Sequence, residues 1–549
     1  MRSRSYLVAA ALGTLGTLLL TPSIARADKA EKADKDDDED GEFEGDGPEA
    51  EAVALFKLDD LIQISIRRSP DLMRAKADRD TAKGQAGAAR AGQQWVMTMG
   101  AQYKTDAVGG QVQVQPFQPV QQDSITGTIG MGRNLPTGAN LQVELGLSHN
   151  TTEIDVPEGL QPNDTGTAAA TTTPTTGGRI QDVYSKVQTT ARVTLKQPLV
   201  RGFGPDIALA DEHKADFTAA AETLKAQLAA EDMVKEVVTG YWELAYANYE
   251  LETRQQSLAL AEQQEKLTRE ELRAGQTAQT SVNAVEYEIA VRKEALLRAQ
   301  LTLEQKSLEL RRKAGLGLGR REIVMRPGDA FEIGNDEWDV EDVLAQSRKA
   351  NRKLGAIALQ KKAADVDVAV TKNATLPQVD VSLSGALLGG GETTGQSISA
   401  VGSVEGYEVM AGLSVQFELS GAAKSNHDAA LARRRRLNVD RADAERQIDA
   451  DVVTSVKMVT SARARVALSD KAIAVAEDNA KAERLSFANG KSTNYSVMDR
   501  QTQLVEAQLR RGRAVADYHV AVAQLQFLSG TILDQYRVNV RPRTSGGAR

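Results

Sequence analysis

Residues 407–419 carry the sequence YEVMAGLSVQFEL, in which every second side chain, from Tyr407 to Leu419, is apolar. The side chains between them are mostly polar. Such alternation over about 9–13 residues is typical of a strand with one apolar face, as in outer-membrane β-barrels. The stretch SKVQTTARVTLKQPL at residues 185–199 alternates in the same way. Each segment taken alone also fits half of an ordinary sheet, so the number of such segments decides the fold.

Further alternating segments lie at residues 95–103, 124–133, 139–149 and 378–387. Two segments in each half of the chain make four strands, whereas the smallest known barrels need about eight. Since open sheet edges are not tolerated in lipid, several copies of the chain are expected to share one barrel. The segments at 124–133 and 139–149 form a hairpin inserted within residues 106–184. This hairpin either raises the count to six strands per chain or sits above the barrel, and the sequence leaves both arrangements open.

The composition argues against an enzyme. The 549 residues include no cysteine and only four histidines, which leaves little for metal binding, nucleophilic catalysis or acid–base chemistry. Of the formal net charge of −8, residues 1–27 carry +3 and residues 28–51 carry −10, so the remaining 498 residues are nearly neutral at −1. A nearly neutral body offers no basic field for nucleic acid. We therefore expect no catalytic residues, no cofactor, no metal and no nucleic-acid partner.

The N-terminus has the features of an export signal. Arg2 and Arg4 precede a short apolar run, and the small-residue sequence ARA ends at Ala27, so residues 1–27 are predicted to be a cleaved signal peptide. A membrane anchor is disfavoured because the run is shorter than the roughly 20 apolar residues that a spanning helix needs. Residues 28–51 are acidic and almost free of apolar side chains, and we expect a disordered linker. The role of this acidic segment is left open.

The chain contains an internal repeat. LDDLI at residues 58–62 aligns without gaps with VEDVL at residues 340–344, an offset of 282. LRAG, ending at Gly275, and FANG, ending at Gly490, align at an offset of 215. The first half therefore holds 67 additional residues, in the region of the inserted hairpin. Duplication is the economical explanation.

Each half is predicted to contain a helix, a strand region, a very long helix, a tight turn and a return helix. The first repeat covers residues 52–338, the second covers residues 339–532, and a C-terminal tail occupies residues 533–549. Without an internal proline, each long helix would extend on the order of 100 Å. Apolar residues at 3–4 spacing in the return helices predict side-by-side packing as in coiled coils. The predicted bounds are residues 206–273 and 422–488 for the long helices, 279–315 and 493–530 for the return helices, and 378–388 and 405–419 for the strands of the second repeat.

In their order and spacing, these features resemble the TolC family of outer-membrane efflux and secretion channels. The resemblance extends over about residues 55–532. Besides the doubled plan, it rests on four motifs, which are QPLVRG at residues 197–202, LP at residues 376–377, the turns at Gly275 and Gly490, and the ending Tyr518, Ala521, Leu525 and Gly530. The fold it implies is mainly α with a transmembrane β part, in which a trimeric outer-membrane β-barrel is continued by a long α-helical periplasmic barrel.

The resemblance implies an outer-membrane channel that extends into the periplasm and serves a tripartite efflux or type I secretion system. The homotrimer would be a passive conduit in outer-membrane lipid, gated at its periplasmic tip, and not an enzyme. Its partners would be a periplasmic adaptor (membrane fusion) protein and an inner-membrane pump. The alternative is a non-channel coiled-coil envelope structural protein or an adhesin. The sequence leaves the substrate and the class of pump open.

The resemblance also assigns residues to the tip. The tip turns comprise Gly275, Ser281, Gly490 and Ser492, and the two serines stand where the family has charged gating residues. The candidate pore constriction consists of Asp499 and Ser496, of which only Asp499 keeps the family's carboxylate. Three copies of Asp499 around one axis would raise the local cation concentration. The alternative is an ordinary first-turn residue favoured by the helix dipole.

Overall fold

The computed structural model describes residues 54–107, 118–157, 160–162, 168–170, 179–317, 325–335 and 337–538. The predicted signal peptide at 1–27, the predicted linker at 28–51 and the part of the predicted tail beyond residue 538 lie outside the described residues. No helix in the described part of the chain combines the length and the apolar character that a membrane span needs.

Helices account for most of the described chain, as the sequence predicts. In chain order they are α1 (Leu58–Arg68), α2 (Pro70–Ala91), α3 (Pro205–Ala208), α4 (Ala210–Arg273), α5 (Gln279–Lys313), α6 (Val340–Ala350), α7 (Arg352–Ala374), α8 (Thr394–Gly402), α9 (Ala422–Ala488), α10 (Asn494–Leu528) and α11 (Ile532–Gln535).

The two long helices are α4, with 64 residues, and α9, with 67 residues. Helix α9 has the predicted bounds, whereas α4 begins four residues later than predicted, because the short helix α3 and Leu209 precede it. The return helices α5 and α10 end two residues before their predicted ends. Gly315 and Gly530 follow them with positive φ values of 69° and 71°, a conformation that terminates helices.

The helix predicted before each strand region is in fact two helices. Helix α1 gives way to α2 at Ser69, and α6 gives way to α7 at Asn351, so the two breaks have the same offset as LDDLI and VEDVL. Pro70 occupies the first turn of α2, where its missing N–H costs nothing and its ring prevents α1 from continuing. The Asn351 side chain caps α7 by accepting a hydrogen bond from the backbone N–H of Lys353.

The described strands are β1 (Ala54–Phe56), β2 (Val96–Ala107), β3 (Gln118–Asn134), β4 (Asn140–Pro157), β5 (Leu160–Pro162), β6 (Ala168–Ala170), β7 (Arg179–Pro198), β8 (Met325–Pro327), β9 (Gln378–Gly391) and β10 (Gly406–Gln416). Six of them form one antiparallel sheet in the order β10-β9-β7-β4-β3-β2. Two further pairs are small: β1 is parallel to β8, and β5 is antiparallel to β6.

The inserted hairpin is part of the main sheet. Strands β3 and β4 lie between β2 and β7, so one chain contributes six sheet strands and not four. Both are longer than their predicted segments, with 17 and 18 residues. Strand β10, in contrast, ends at Gln416, three residues before its predicted end.

The sheet has the two faces that the alternation predicts. Val143 of β4 lies opposite Met131 of β3 on one side and Val193 of β7 on the other. On the other face, Glu144 lies opposite Arg192, whose guanidinium is 3.5 Å from the Glu408 carboxylate. The apolar side chains that stay largely exposed on the first face include Met97, Met99, Tyr103, Ile129, Met131, Val143, Leu145, Val193, Leu195, Leu383, Val409 and Leu413.

Helix α8 covers the far end of this apolar face and was not predicted. Its Ser397 hydroxyl lies 2.8 Å from the Thr189 hydroxyl of β7. A Cβ atom at Gly389 of β9 would lie only 2.1 Å from the Ser397 carbonyl oxygen, so the helix can dock only on glycine. Thr393 caps the helix by accepting a hydrogen bond from the backbone N–H of Gln396.

Two apolar cores hold the helices together. The first surrounds Tyr241 and Trp242 of α4 and includes residues of α1, α5 and β8. The second surrounds Tyr518 of α10 and includes residues of α6, α7 and α9. The residues at 3–4 spacing in α5 face inward, since Val282, Val285, Ile289, Arg292, Ala299, Leu303 and Leu310 are buried. The residues at 3–4 spacing in α10 are only partly buried, and that helix packs on both α4 and α9.

Asp329, near the end of the predicted first repeat, caps the first described helix, α1. Its Oδ2 accepts a hydrogen bond of 2.9 Å from the backbone N–H of Leu58, where Lys57 provides no side-chain cap. The same oxygen accepts a 2.6 Å bond from the Tyr241 hydroxyl. Burial and this carboxylate raise the pKa of Tyr241, so the phenol remains a donor at all ordinary pH values. The end of the predicted first repeat is thereby hydrogen-bonded to its beginning and to its long helix.

Burial of His519 in α10 makes the stability of the helical cores depend on pH. Its ring stacks on Trp242 with centroids 3.5 Å apart, and its Nε2 donates a 2.7 Å hydrogen bond to the carbonyl oxygen of Glu332. Burial lowers the pKa of His519, so the folded protein keeps the ring neutral. As pH falls below about 6.5, the unfolded chain takes up the proton first, and stability falls by up to about 1.4 kcal/mol per pH unit until the folded ring also protonates.

We therefore expect His519→Phe, which retains an aromatic ring, to reduce the loss of thermal stability between pH 7.5 and pH 5.5. The measurement is the apparent unfolding midpoint of the purified protein in detergent at both pH values. His213→Phe, at an exposed position of α4, is the control and should keep the wild-type pH dependence. An unchanged pH dependence in His519→Phe would show that this ring does not cause it.

Candidate functional site

Two tight turns at the same end of the helical part join α4 to α5 and α9 to α10. Gly275 and Gly490 take left-handed conformations with φ of 72° and 69°. In each turn, the N–H of the residue after the glycine bonds back to a carbonyl of the preceding helix, Gln276 to Glu271 at 2.8 Å and Lys491 to Ser486 at 2.9 Å. The two turns therefore have the same backbone structure, and a side chain at either glycine would strain it.

The predicted constriction residues lie on α10. Ser496 and Asp499 are half-buried. The backbone N–H of Ser496 donates to the capping hydroxyl of Thr493 at 3.2 Å. Asp499 accepts a 2.8 Å bond from the amide of Gln503 in its own helix. Asp499 is the sixth residue of α10 and lies beyond the first turn, so the first-turn alternative is wrong. Its proposed role in the pore stays a prediction.

The two serines of the predicted tip turns have different surroundings. Ser281 is near the start of α5, and its backbone N–H bonds to the Ala278 carbonyl at 3.0 Å. Ser492 donates a short hydrogen bond from its hydroxyl to the carboxylate of Glu483 in α9. Both serines thus make contacts within their own helix–turn–helix unit, and the structure does not place them together with Asp499 in one bonded group.

A polar group that the sequence did not predict joins the two turns. Asn494, the first residue of α10, is 8% exposed and accepts a 2.7 Å hydrogen bond from the side-chain amide of Gln264 in α4. The Thr268 hydroxyl lies 3.1 Å from the same oxygen. We call Gln264, Thr268 and Asn494 the tip cluster. It connects the long helix of the first repeat to the return helix of the second.

Arg292 of α5 makes a second connection, further from the turns. Its guanidinium donates to the Ser257 carbonyl of α4 at 2.9 Å and to the Gln501 side chain of α10 at 3.2 Å. It also lies 3.4 Å from the Met498 carbonyl. Burial lowers the pKa of Arg292, and the acceptors around it satisfy its donors. Three helices are held together at this point.

Local sequence patterns do not predict these contacts. Arg292 falls on the 3–4 spacing of the buried side chains of α5, but its acceptors on α4 and α10 lie 35 and 209 residues away. Asn494 stands immediately after the capping residue Thr493, where a polar residue is common. The position equivalent to Asn494 in the first predicted repeat is Gln279, the first residue of α5. Gln279 is exposed and bonds to Asn283 in its own helix, so the two equivalent positions differ in their contacts.

The sheet and the helical part each end in elements that lack a partner on one side within the described chain. In the sheet, β2 pairs only with β3 and β10 pairs only with β9, as far as the described residues extend. Among the helices, α2 and α5 pack on α4, α4 packs on α7 and α10, and both of these pack on α9, so α2, α5 and α9 are outermost. Helices α5 and α9 carry large exposed apolar side chains, which are Tyr287, Val291, Leu297, Leu301 and Leu308 on α5 and Val439, Met458, Leu468, Val475 and Leu485 on α9.

The described residues contain no group of three or more His, Asp or Glu side chains placed to hold a metal ion.

Residues 343–531 match the family model described as outer membrane efflux protein. Over these residues, about a third of the chain, the protein is similar to this family. The match covers the second predicted repeat almost completely. It confirms the family that the sequence resembled and, with it, the prediction of an outer-membrane efflux channel that is not an enzyme.

Solved structures of low sequence identity share the family's fold with this chain. VceC from Vibrio cholerae has a TM-score of 0.61 and 16% identity, with 86% of this chain and 96% of VceC covered. CmeC from Campylobacter jejuni has a TM-score of 0.63 and 11% identity, with 86% and 85% covered. MtrE from Neisseria gonorrhoeae has a TM-score of 0.58 and 15% identity, with 85% and 89% covered. No curated protein matches the chain.

Proposed function

We propose that this chain forms a homotrimeric outer-membrane channel and is the passive conduit of a tripartite efflux or type I secretion system. One observation carries the proposal: a six-stranded sheet with an exposed apolar face has two unpaired edges, and each edge is continuous with the helical part. An apolar face of this kind suits contact with lipid, and an unpaired edge in lipid requires a partner strand.

The two edges suit a ring of identical copies. The first and last strands of a six-stranded antiparallel sheet run in opposite directions, so β10 of one copy can pair antiparallel with β2 of the next. The helix edges follow the sheet edges, since α2 leads into β2 and β10 leads into α9. Contacts between different surfaces of neighbouring copies close into a ring when the rotation permits. The resemblance to the TolC family supplies the number three.

The internal duplication supports the same arrangement. We propose that residues 52–338 and 339–532 are two copies of one unit. The matching glycine turns at Gly275 and Gly490 favour a common origin, as do the helix breaks at Ser69 and Asn351, which share the offset of the sequence repeat. Two similar units in each of three chains would give the helical part six similar hairpins around one axis.

The gate is proposed to lie at the tip turns. Opening would move the pair α9 and α10 away from the pair α4 and α5. The tip cluster and Arg292 cross between these pairs, so their hydrogen bonds would hold the tip in the arrangement of this structure. A periplasmic adaptor and an inner-membrane pump, the partners that the resemblance implies, would supply the interactions that shift this equilibrium.

The direct test of the proposed function is the migration of protein from outer-membrane fractions in SDS gels with and without heating. The channel should migrate as an oligomer without heating and as a single chain after heating. A monomeric protein recovered from the soluble periplasm would contradict the proposal and favour the alternative, a non-channel coiled-coil envelope protein.

Asp499→Ala tests the candidate constriction. Three carboxylates around one axis attract cations and disfavour anions, so their removal should move the reversal potential of the channel in a salt gradient toward zero. The measurement is planar-bilayer recording of the variant and the wild type under the same gradient. Glu506→Ala, an exposed acidic residue further along α10, is the matched control. Equal reversal potentials for Asp499→Ala and wild type would remove Asp499 from the constriction.

A further inference from the structure

We propose that the barrel of this channel has 18 strands, six from each of three chains, and is therefore wider than a barrel of four strands per chain. The inference rests on the proposed trimer. It assigns the inserted strands β3 and β4 to the lipid-spanning wall and gives the chain a broad exit. Three independent features of the hairpin carry it.

The first feature is the pairing. Strand β3 is bonded along its length to β2 on one side and to β4 on the other, from Val96 opposite Gly132 to Ala107 opposite Gln121 in the first pair. Strand β4 pairs with β7 from Asn140 to Pro157 without a shift in register. Since β3 and β4 lie between β2 and β7, the four remaining strands are not contiguous in this sheet.

The second feature is the face. Ile129 and Met131 of β3 and Val143 and Leu145 of β4 are 38–52% exposed, on the same side of the sheet as Val193 of β7. An apolar surface continuous over neighbouring strands is costly in water and favourable in lipid. A hairpin above the membrane would expose this apolar face to water.

The third feature is the height of the hairpin turn. Arg133 and Asn134 bond to the Gln93 and Gly92 carbonyls, at the point where α2 leads into β2, at 2.9 and 3.3 Å. The carbonyl of Thr137 accepts a 3.1 Å bond from the N–H of Gly204, just before α3. The hairpin therefore starts at the level where the other strands leave the helices, and its strands rise through the same layer.

The close contact between the turn and the helix junction fixes this level. Gly138 has a φ of 89°, and a Cβ there would lie 2.2 Å from the carbonyl oxygen of Gly202. Residues with a side chain cannot occupy this position without moving the turn. The short turn lies at the helical end of the sheet, as periplasmic turns do in outer-membrane barrels.

The width follows from strand number. With strands about 4.8 Å apart and tilted by about 40°, 18 strands give a backbone diameter of about 36 Å, whereas 12 strands give about 24 Å. The lumen would be lined by the polar face, with Glu144 on β4, Arg192 on β7 and Glu408 on β10. Cargo that passes the tip would meet no second restriction from the barrel wall.

The experiment is a spin-label distance measurement on the full-length trimer. The chain has no cysteine, so Ser414→Cys on the exposed polar face of β10 provides one labelling site per chain. Three labels around one axis give one distance, about 31 Å between backbones for 18 strands and about 21 Å for 12. A second variant carries the same label and lacks residues 118–157, which removes two strands and preserves the alternation of strand direction.

The proposal expects the longer of these two distances in the full-length protein and the shorter one in the deletion variant. The shorter distance in the full-length trimer would overturn the 18-stranded barrel and leave the channel itself standing. The same distance in both proteins would place the hairpin outside the wall and also overturn the proposal. Absence of any distance between chains would overturn the trimer and the barrel together.

Discussion

Asn494→Ala is expected to raise the open probability of the channel by about 10- to 100-fold, because an orphaned buried donor costs about 1–3 kcal/mol and about 1.4 kcal/mol is a factor of ten. The Asn494 oxygen accepts the amide of Gln264, which has no other acceptor among the described contacts. The Thr268 hydroxyl keeps its 2.9 Å bond to the Gln264 carbonyl, so the loss of the Asn494 oxygen costs it less free energy than it costs the Gln264 amide. When the tip opens, water can accept a hydrogen bond from the amide. The substitution therefore destabilises only the closed state, in which the helices are in contact.

The chain provides a matched control for this variant. Gln279 is the first residue of α5 and corresponds to Asn494 at the repeat offset of 215. It is exposed and bonds only to Asn283 in its own helix, at 2.9 Å. Gln279→Ala should therefore leave the single-channel open probability unchanged. Equal open probabilities for Asn494→Ala and wild type, with the SDS-resistant oligomer intact, would show that the tip cluster does not hold the gate.

Arg352→Met is expected to destabilise the fold by about 3–5 kcal/mol, the usual cost of leaving one member of a buried ion pair without its partner. Glu231 of α4 is 1% exposed and forms an ion pair with Arg352 of α7. The same guanidinium donates to Gln227 of α4 at 3.1 Å and to the Gly530 carbonyl at 3.4 Å. The pair therefore connects the long helix of the first repeat to the start and the end of the second.

The measurement is the apparent unfolding midpoint of the detergent-purified protein, together with the amount of assembled oligomer. The double variant Glu231→Met with Arg352→Met should recover most of the loss, because no unpaired charge remains buried. Arg348→Met is the control: Arg348 lies four residues earlier, in α6, and solvent screens its exposed pair with Asp449. A loss in Arg352→Met no larger than in Arg348→Met would contradict a structural role for the buried pair.

Local periodicity made the main elements predictable. A strand with one apolar face must alternate, and 407–419 does so whatever lies beside it in the folded chain. Helix α9 was predicted to the residue because no proline or glycine interrupts it and Gly421 and Gly490 bound it. The tip turns were also predictable from local sequence, since both depend on a glycine that takes a positive φ.

The features that escaped prediction depend on distant parts of the chain. Helix α8 is built from weak helix formers, and it is stabilised by docking on Thr189 and Gly389. The position of the inserted hairpin depends on which strands it pairs with, and alternation alone does not specify a partner. The tip cluster joins residues 230 positions apart, a relation that no local pattern contains.

In the proposed channel, the unpaired edges of one chain close on other copies of the same chain. Native mass spectrometry of the protein extracted from outer membranes in mild detergent tests it directly. We expect a complex with the mass of three mature chains and no other protein subunit. A single chain that remains folded and monodisperse after extraction would contradict the claim.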